Sequence, residues 1–364
     1  MVTIEVNNAK CKITGDIKVI NQLDKAFSVK HPNAYFIRVK GFAQDNWDGK
    51  IHYITEHGYF KTGLLTQIYN HLVKLKVKVK IVDHRLGFDI TPKIPKKIGN
   101  LDERGYQFDA VKAVLENNIG GINLPIGTIN AATNAGKTTI MAMVYLAYKR
   151  KIPALILIND GDLFEQFKKE IPELVGDDFG YVRGKDAKWN KFTICMVQTV
   201  SQKISLYKHK LQQYGIVMVD EADLGDNKTY KTVLQNCSNA NVRIGLSGTI
   251  YLSKLKKDFV KNQNLHSFFG EELFKITKLE MKEKGHSAEV VVRMFRGSEK
   301  IGIKGDWKAE YDKGITYNED RAMLCVERMK ANIKLKRLPA LVICQFHNHV
   351  ELMEKVFQIE LGKK

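Results

Sequence analysis

Three short segments, in fixed order and each close behind an apolar run, constrain this chain more than anything else in it. They are Ala132-Thr133-Asn134-Ala135-Gly136-Lys137-Thr138, Asp220-Glu221-Ala222-Asp223 and Ser247-Gly248-Thr249. Between them lie Ala154-Leu155-Ile156-Leu157-Ile158, Thr193-Ile194-Cys195-Met196-Val197 and Ile216-Val217-Met218-Val219, short runs that read as strands. Strands buried on both faces have this composition, so residues 100–285 are expected to form an α/β fold, a parallel sheet covered by helices. The residues after Lys137 are rich in Met, Ala, Leu and Tyr and predict a buried helix opening at the first segment.

A tight loop that opens a helix presents backbone amides and is an anion site. Gly136 lets the backbone approach a phosphate without a side-chain clash. Lys137 supplies a point charge for the β- and γ-phosphates of ATP, and Thr138 a hydroxyl for Mg. Thr133, Asn134 and Ala135 complete the expected loop. The strict pattern asks for glycine five positions before Gly136, where Ala131 stands. Asp220 ends an apolar strand, where its carboxylate reaches the metal shell. Glu221 beside it is placed to orient and deprotonate a water. Upstream, Arg104-Gly105-Tyr106-Gln107 offers an amide that both donates and accepts, which suits the edge of adenine, and a guanidinium for its face.

The net charge of +18 over 364 residues is unevenly spread. Residues 1–100 carry 17 Lys and Arg against 8 Asp and Glu, and residues 101–250 carry 18 against 16. A basic field of this kind favours polyanions such as DNA. Leu75-Lys76-Val77-Lys78-Val79-Lys80-Ile81 alternates with period two. It predicts a strand with Lys74, Lys76, Lys78 and Lys80 on one face, either to meet phosphates or to guard a sheet edge. A helix is expected over 64–72. Trp47 reads as a core residue more readily than as a base-stacking one.

Residues 1–98 read as a small basic α/β domain, joined through Thr91-Pro92-Lys93-Ile94-Pro95-Lys96-Lys97 to the main sheet at 99–285. From 286 to 364 a further unit is expected. It holds strands near 290–295 and 340–344, a helix from about Asn318, and one more helix. The five cysteines are scattered, with no CxxC pair, and read as reduced thiols. His347 and His349 read as a strand-end loop. No apolar run has bilayer-spanning length, and the first residues lack a signal-peptide pattern. A cytoplasmic protein is expected, in the infected host if the chain is from a phage.

The three segments, with Arg104 to Gln107 upstream, resemble motifs I, II and III of the superfamily 2 helicases. Within these, the chain is most similar to the UvsW-type recombination helicases of tailed phages. Asn46-Trp47-Asp48-Gly49-Lys50-Ile51 and Gly63-Leu64-Leu65-Thr66-Gln67-Ile68 resemble that family's accessory domain. Val197-Gln198-Thr199-Val200 resembles its motif Ib, which implies nucleic-acid contacts at Gln198 and Thr199. The resemblance implies a RecA-like motor domain at 99–285 and the start of a second one from 286. It also implies coupling roles for Asp223, Ser247, Gly248 and Thr249. The implied activity is ATP-driven remodelling of branched DNA in recombination, repair and replication.

The chain departs from the family at Asp223, where a histidine is usual, and at Asn159-Asp160, where many relatives place a proline. It is expected to stop before motifs V and VI, whose arginines complete the ATP site. A second chain or copy would then supply them, and turnover by the isolated chain would be impaired. Arg293 and Arg296 precede the strand that they should follow and are read as surface or DNA-facing residues. The other readings are a motor that translocates or anneals on duplex DNA without net unwinding, and a non-catalytic or weakly catalytic adaptor that binds ATP and DNA.

Overall fold

The computed structural model describes residues 1–40, 47–95, 98, 104–250, 258–286, 306–336 and 341–362. The chain divides into two compact units, Met1–Ala288 and Glu289–Lys364.

The first unit opens with β1 (Val2–Val6), β2 (Lys10–Gly15), α1 (Ile17–Phe27), β3 (Val29–Lys30), α2 (Ala34–Val39), β4 (Lys50–Ile51), β5 (Tyr59–Lys61), α3 (Leu65–Lys74) and β6 (Val79–Asp83). β5, β2, β1 and β6 form a four-stranded sheet in that order, and β3 pairs with β4. Val2, Ile4 and Val6 alternate inward along β1. They meet Leu23 of α1 and Leu65, Ile68 and Leu72 of α3 in one core. Burying each such side chain contributes about 1.5–3 kcal/mol. The same core takes in Leu124 and Ile126, which lead into the larger sheet, so the amino-terminal module is packed onto that sheet's first strand.

The expected lysine-bearing strand over 75–81 is not formed as a single element. α3 runs on to Lys74, and the Lys76 and Val77 amides turn back to the carbonyls of Val73 (2.9 Å) and Leu72 (3.0 Å). This is a Schellman closure with Lys76 in the left-handed position, φ 55°. The hydrogen bonds of that closure override the period-two pattern. Lys74 therefore ends a helix, Lys76 and Lys78 lie in the connection, and Lys80 alone sits on β6. β6 is an edge strand of its sheet.

The remainder of the first unit comprises α4 (Gly105–Leu115), β7 (Asn118–Ile119), β8 (Ile122–Asn123), β9 (Ile126–Ala131), α5 (Lys137–Ala147), β10 (Ala154–Ile158), α6 (Gly161–Val175), β11 (Phe179–Arg183), β12 (Asp186–Lys188), β13 (Phe192–Met196), α7 (Val197–Gln202), α8 (Ile204–Leu211), β14 (Ile216–Asp220), α9 (Lys228–Asn236), β15 (Val242–Ser247), α10 (Phe259–Phe269), β16 (Glu272–Ile276) and α11 (Lys278–Glu283). Eight strands form one sheet in the order β12-β11-β13-β10-β14-β15-β9-β16. Every pairing in it is parallel except β11 with β12. β9, β10, β14 and β15 are buried along their whole length, as the apolar runs of β10 and β14 require; β9 and β15 bury Thr128, Asn130, Arg243 and Ser247 besides. Separate apolar cores cover the two faces.

The departure at Asn159-Asp160 has a local reason. The Asp160 carboxylate accepts from the amides of Asp162 and Leu163, both at 2.9 Å, and so caps α6.

The described part of the second unit holds α12 (Trp307–Tyr311), a π-helical turn at Asp312–Thr316, α13 (Glu319–Lys334) and α14 (His347–Leu361). Asn318 caps α13 by accepting from the Arg321 amide, as its position suggested. Residues 341–344, expected as a strand, are irregular, with Leu341 and Ile343 each 84% exposed. An apolar run is held as a strand only by neighbours, and none pairs with it among the described residues. His347 and His349 lie in the first turn of α14 rather than in a loop. The expected strand at 290–295, with Arg293 and Arg296, lies outside the described residues, as do Asn46, Lys96 and Lys97.

Candidate nucleotide site

β14, β15 and β9 are neighbours, and the three motifs leave their carboxyl ends. Open parallel sheets bind ligands on that edge. The loop after β9 turns through Asn134 (φ 70°) and Gly136 (φ 74°), both left-handed. α5 then begins at Lys137, and its first amides are the orphan donors of a helix start. The left-handed φ of Gly136 favours glycine, and a Cβ there would stand 2.3 Å from Gln107 Nε2 and displace that amide.

Lys137 Nζ lies 2.6 Å from Glu221 Oε1 and 3.2 Å from Asp220 Oδ1. Burial works against the lysine charge, but Asp220 and Glu221 outweigh it and hold the ammonium above its usual range. Asp220 is only 1% exposed, and burial pushes its carboxyl up against the pull of Lys137. Neither Asp220 oxygen receives a properly directed hydrogen bond from the described residues, although Lys137 is within ion-pair distance. A buried acceptor pair of this kind is what a hard cation would satisfy. Thr138 at the start of α5 is the hydroxyl that would join it.

Glu221 sits in the left-handed region at φ 50°, ψ 54°, a strained setting for a residue with a side chain. Its second oxygen accepts from Ser247 Oγ at 3.2 Å. The same hydroxyl lies 2.9 Å from Asp223 Oδ1 and 3.2 Å from Thr249 Oγ1. Asp223, Ser247 and Thr249 are thus brought together with Glu221. Gly248 packs against the loop, where a Cβ would stand 3.2 Å from the Ala131 carbonyl.

The upstream element is bound to the loop itself. Gln107 Nε2 and Tyr106 Oη both donate to the Ala135 carbonyl at 3.0 Å. Arg104 donates to the Asn134 carbonyl, also at 3.0 Å. The two side chains expected at adenine therefore brace the phosphate loop. A cleft of about 850 Å³ opens here, lined by Arg104, Gln107, Thr133, Asn134, Lys137 and Glu221 among others.

Sequence reasoning missed part of this cleft. Leu163, Gln166, Phe167 and Glu170 of α6 line one wall, and His286 lies beside them, its ring edge-on to Tyr106 at 5.6 Å. Tyr230 of α9 is also unforeseen. Its hydroxyl is buried without a hydrogen-bond partner among the described residues, and burial, then Asp220, Asp223 and Glu221, push its pKa up. No local motif marks these positions, because fold alone carries them to the strand ends.

Gln198 and Thr199 open α7 just past the end of β13, on the same edge of the sheet as the nucleotide residues. Gln198 Nε2 donates to Asn159 Oδ1 at 2.7 Å and to its carbonyl at 3.0 Å. Its Oε1 is buried without a partner. Thr199 Oγ1 accepts from the Gly184 amide at 3.0 Å. The lysines at 74, 76, 78 and 80 are exposed and belong to the amino-terminal module.

Residues 100–252 match the protein family described as Type III restriction enzyme, res subunit. The chain is 25% identical over 271 residues to the ATP-dependent DNA helicase uvsW of Enterobacteria phage T4, a match covering 69% of this chain and 51% of that protein. The chain thus spans about half the length of the curated relative it matches. A crystal structure of the UvsW helicase from bacteriophage T4 superposes with a TM-score of 0.59 at 20% identity, over 75% of this chain and 99% of that one. A second T4 UvsW structure gives 0.58 at 18% identity, over 99% of this chain and 73% of that one. These likenesses establish the fold, a RecA-like parallel sheet flanked by helices.

Proposed function

We propose that this chain, a homologue of the T4 UvsW helicase, is the ATP- and DNA-binding part of a superfamily 2 DNA motor that remodels branched DNA. The observation that carries the reading is the junction of Lys137, Asp220, Glu221 and Ser247 at three adjacent strand ends. Lys137 would exchange its carboxylate partners for the β- and γ-phosphates. Asp220 and Thr138 would hold Mg, which neutralises phosphate charge when bound. Glu221, freed from Lys137, would orient the attacking water and take its proton. Ser247 and Asp223 would report the state of Glu221 to the rest of the sheet edge.

In this reading residues 1–98 form the DNA-gripping module, 99–285 the first motor domain and 286–364 the start of the second. Gln198 and Thr199 would meet nucleic acid on the motor domain, and the exposed Lys74, Lys76, Lys78 and Lys80 would add phosphate contacts. A neighbouring chain or copy is proposed to supply the arginines that complete turnover. The host cytoplasm is the proposed location.

The test is steady-state ATP hydrolysis by the chain, with and without a four-way DNA junction, beside Glu221→Gln. DNA-stimulated turnover lost in the variant supports the motor. Tight Mg-nucleotide and DNA binding without turnover would make the chain an adaptor instead.

A further inference from the structure

α10 is held between the amino-terminal module and the turn after Glu221. On its module side, Tyr53 Oη lies 2.9 Å from Asn264 Oδ1 and 3.2 Å from the Val260 carbonyl. Gln263 donates to Gln67 at 2.9 Å. Lys61 Nζ stands 3.5 Å from the Phe268 ring centre. Gly63 is so close that a Cβ would come 2.3 Å from the His266 carbonyl. The module thus touches α10 along its whole length.

On its other side α10 meets the nucleotide machinery. Asn264 Nδ2 donates to Asp226 Oδ1 at 2.7 Å. A Cβ at Gly225 would stand 2.8 Å from Phe269, and one at Gly245 3.1 Å from it. Both glycines belong to the segments carrying Asp223 and Ser247. The link from Asp223 to Asp226 is a tight turn, closed by Gly225 donating to the Ala222 carbonyl at 2.9 Å and Asn227 to the Leu224 carbonyl at 3.0 Å. An unbroken path therefore runs from Glu221 through Ser247 and Asp223 to Asp226, Asn264 and Tyr53.

We propose that α10 couples nucleotide binding at Lys137 and Glu221 to DNA binding by the amino-terminal module, with Tyr53 and Asn264 as positioning residues. The inference rests on the reading of the chain as an ATP-driven DNA motor. A phosphate that takes Lys137 releases Glu221, and the shared Ser247 hydroxyl must then redistribute between Glu221 and Asp223. The turn and α10 are close-packed, so a shift of one is passed on rather than absorbed. Asn264 spans the helix, accepting from Tyr53 on one side and donating to Asp226 on the other. Burial, then the charge of Asp226, keeps the Tyr53 phenol protonated and hence a donor.

Coupling is measured as the factor by which a nucleotide changes DNA affinity, and it is reciprocal. Fluorescence anisotropy with a labelled four-way junction gives the DNA Kd of the full chain, with and without a non-hydrolysable Mg-ATP analogue. In the parent chain a factor of about 5–150 is expected. Tyr53→Phe removes one oxygen and should cut that factor about 2- to 10-fold, the worth of one hydrogen bond. Its nucleotide Kd and DNA-free ATP hydrolysis should stay at parent values, and its Tm should fall by no more than a few °C.

Gln67→Ala loosens the same interface without touching the Asn264–Asp226 path, and should leave the factor near the parent value. An unchanged factor in Tyr53→Phe, or an equal loss in Gln67→Ala, overturns the inference. So does a parent chain that binds both ligands with no coupling. A parent chain that binds no nucleotide or no DNA instead sinks the motor reading, and the inference with it. If Tyr53→Phe fails to fold, Asn264→Ala takes its place with the same expectation.

Discussion

Lys137 is closed onto Glu221 at 2.6 Å, so its ammonium is already paired with a carboxylate. The contact is not idle. It keeps a half-buried ammonium paired with Glu221 and with the buried Asp220. In the proposed function, nucleotide binding would exchange these ion pairs for phosphate contacts, and that exchange would release Glu221 for water.

Replacing the lysine tests this directly. Losing a buried charged contact costs about 2–5 kcal/mol, so Lys137→Ala should weaken Mg-ATP binding by about 30- to 1000-fold or more. Titration of a fluorescent ATP analogue reads the change. The same variant leaves Asp220 without its counter-ion, and its Tm should fall below that of the parent.

Glu221→Gln separates binding from chemistry. The amide keeps the shape of the side chain but cannot take a proton. Nucleotide Kd should stay within a few-fold of the parent, while ATP hydrolysis falls by about 10²- to 10⁴-fold. A parallel fall in affinity would place Glu221 in binding instead.

Ser247→Ala removes one hydroxyl that lies against Glu221, Asp223 and Thr249 together. Hydrogen bonds to charged groups contribute about 1.5–3 kcal/mol each. The expected outcome is near-normal nucleotide binding and a loss of DNA stimulation by about 10-fold or more. The ratio of DNA-stimulated to basal hydrolysis is the quantity to follow.

Lys76→Gly should stabilise the chain. The residue stands at φ 55° in the closure of α3, where glycine carries no Cβ penalty. A gain of about 1 kcal/mol is expected. That gain would raise the thermal midpoint by about 2 °C in a unit of this size. Differential scanning calorimetry of the two proteins checks it.

His52 supplies a pH-dependent brace. Its Nδ1 lies 2.8 Å from Asp24 on α1 and its Nε2 3.2 Å from Asp48. The hydrogen bond to Asp24 outweighs burial and, with Asp48, raises the imidazole pKa above its ordinary 6.5. A raised folded pKa means that the stabilisation is complete below about pH 6.5 and fades as pH rises through the folded value. His52→Gln should therefore lower Tm at pH 6 and change it little at pH 9. The group is 39% exposed on its side chain, so the effect is modest and shrinks with salt.

Much of the fold was legible in the chain. The apolar runs at 154–158, 193–197 and 216–219 became β10, β13 and β14 within a residue, because strands buried on both faces need apolar side chains throughout. The helix after Lys137 and the one capped by Asn318 were equally plain. The run at 75–81 failed because a helix closure took its first residues. Residues 341–344 failed because apolarity makes a strand only where another strand lies alongside, and among the described residues none pairs with them.

The sequence alone marks Lys137, Asp220, Glu221 and Ser247 as candidates, since each comes at or shortly after the end of a run that reads as a strand. Only folding settles what those groups touch. Gln107 braces the Ala135 carbonyl, Gln198 is tied to Asn159, and Tyr53 reaches Asn264 from a segment 211 residues away. These contacts depend on the order β14-β15-β9 and on the packing of α10 beneath the amino-terminal module. Local periodicity encodes which face of a strand is buried. It carries no information about which neighbour a distant strand or helix will find there.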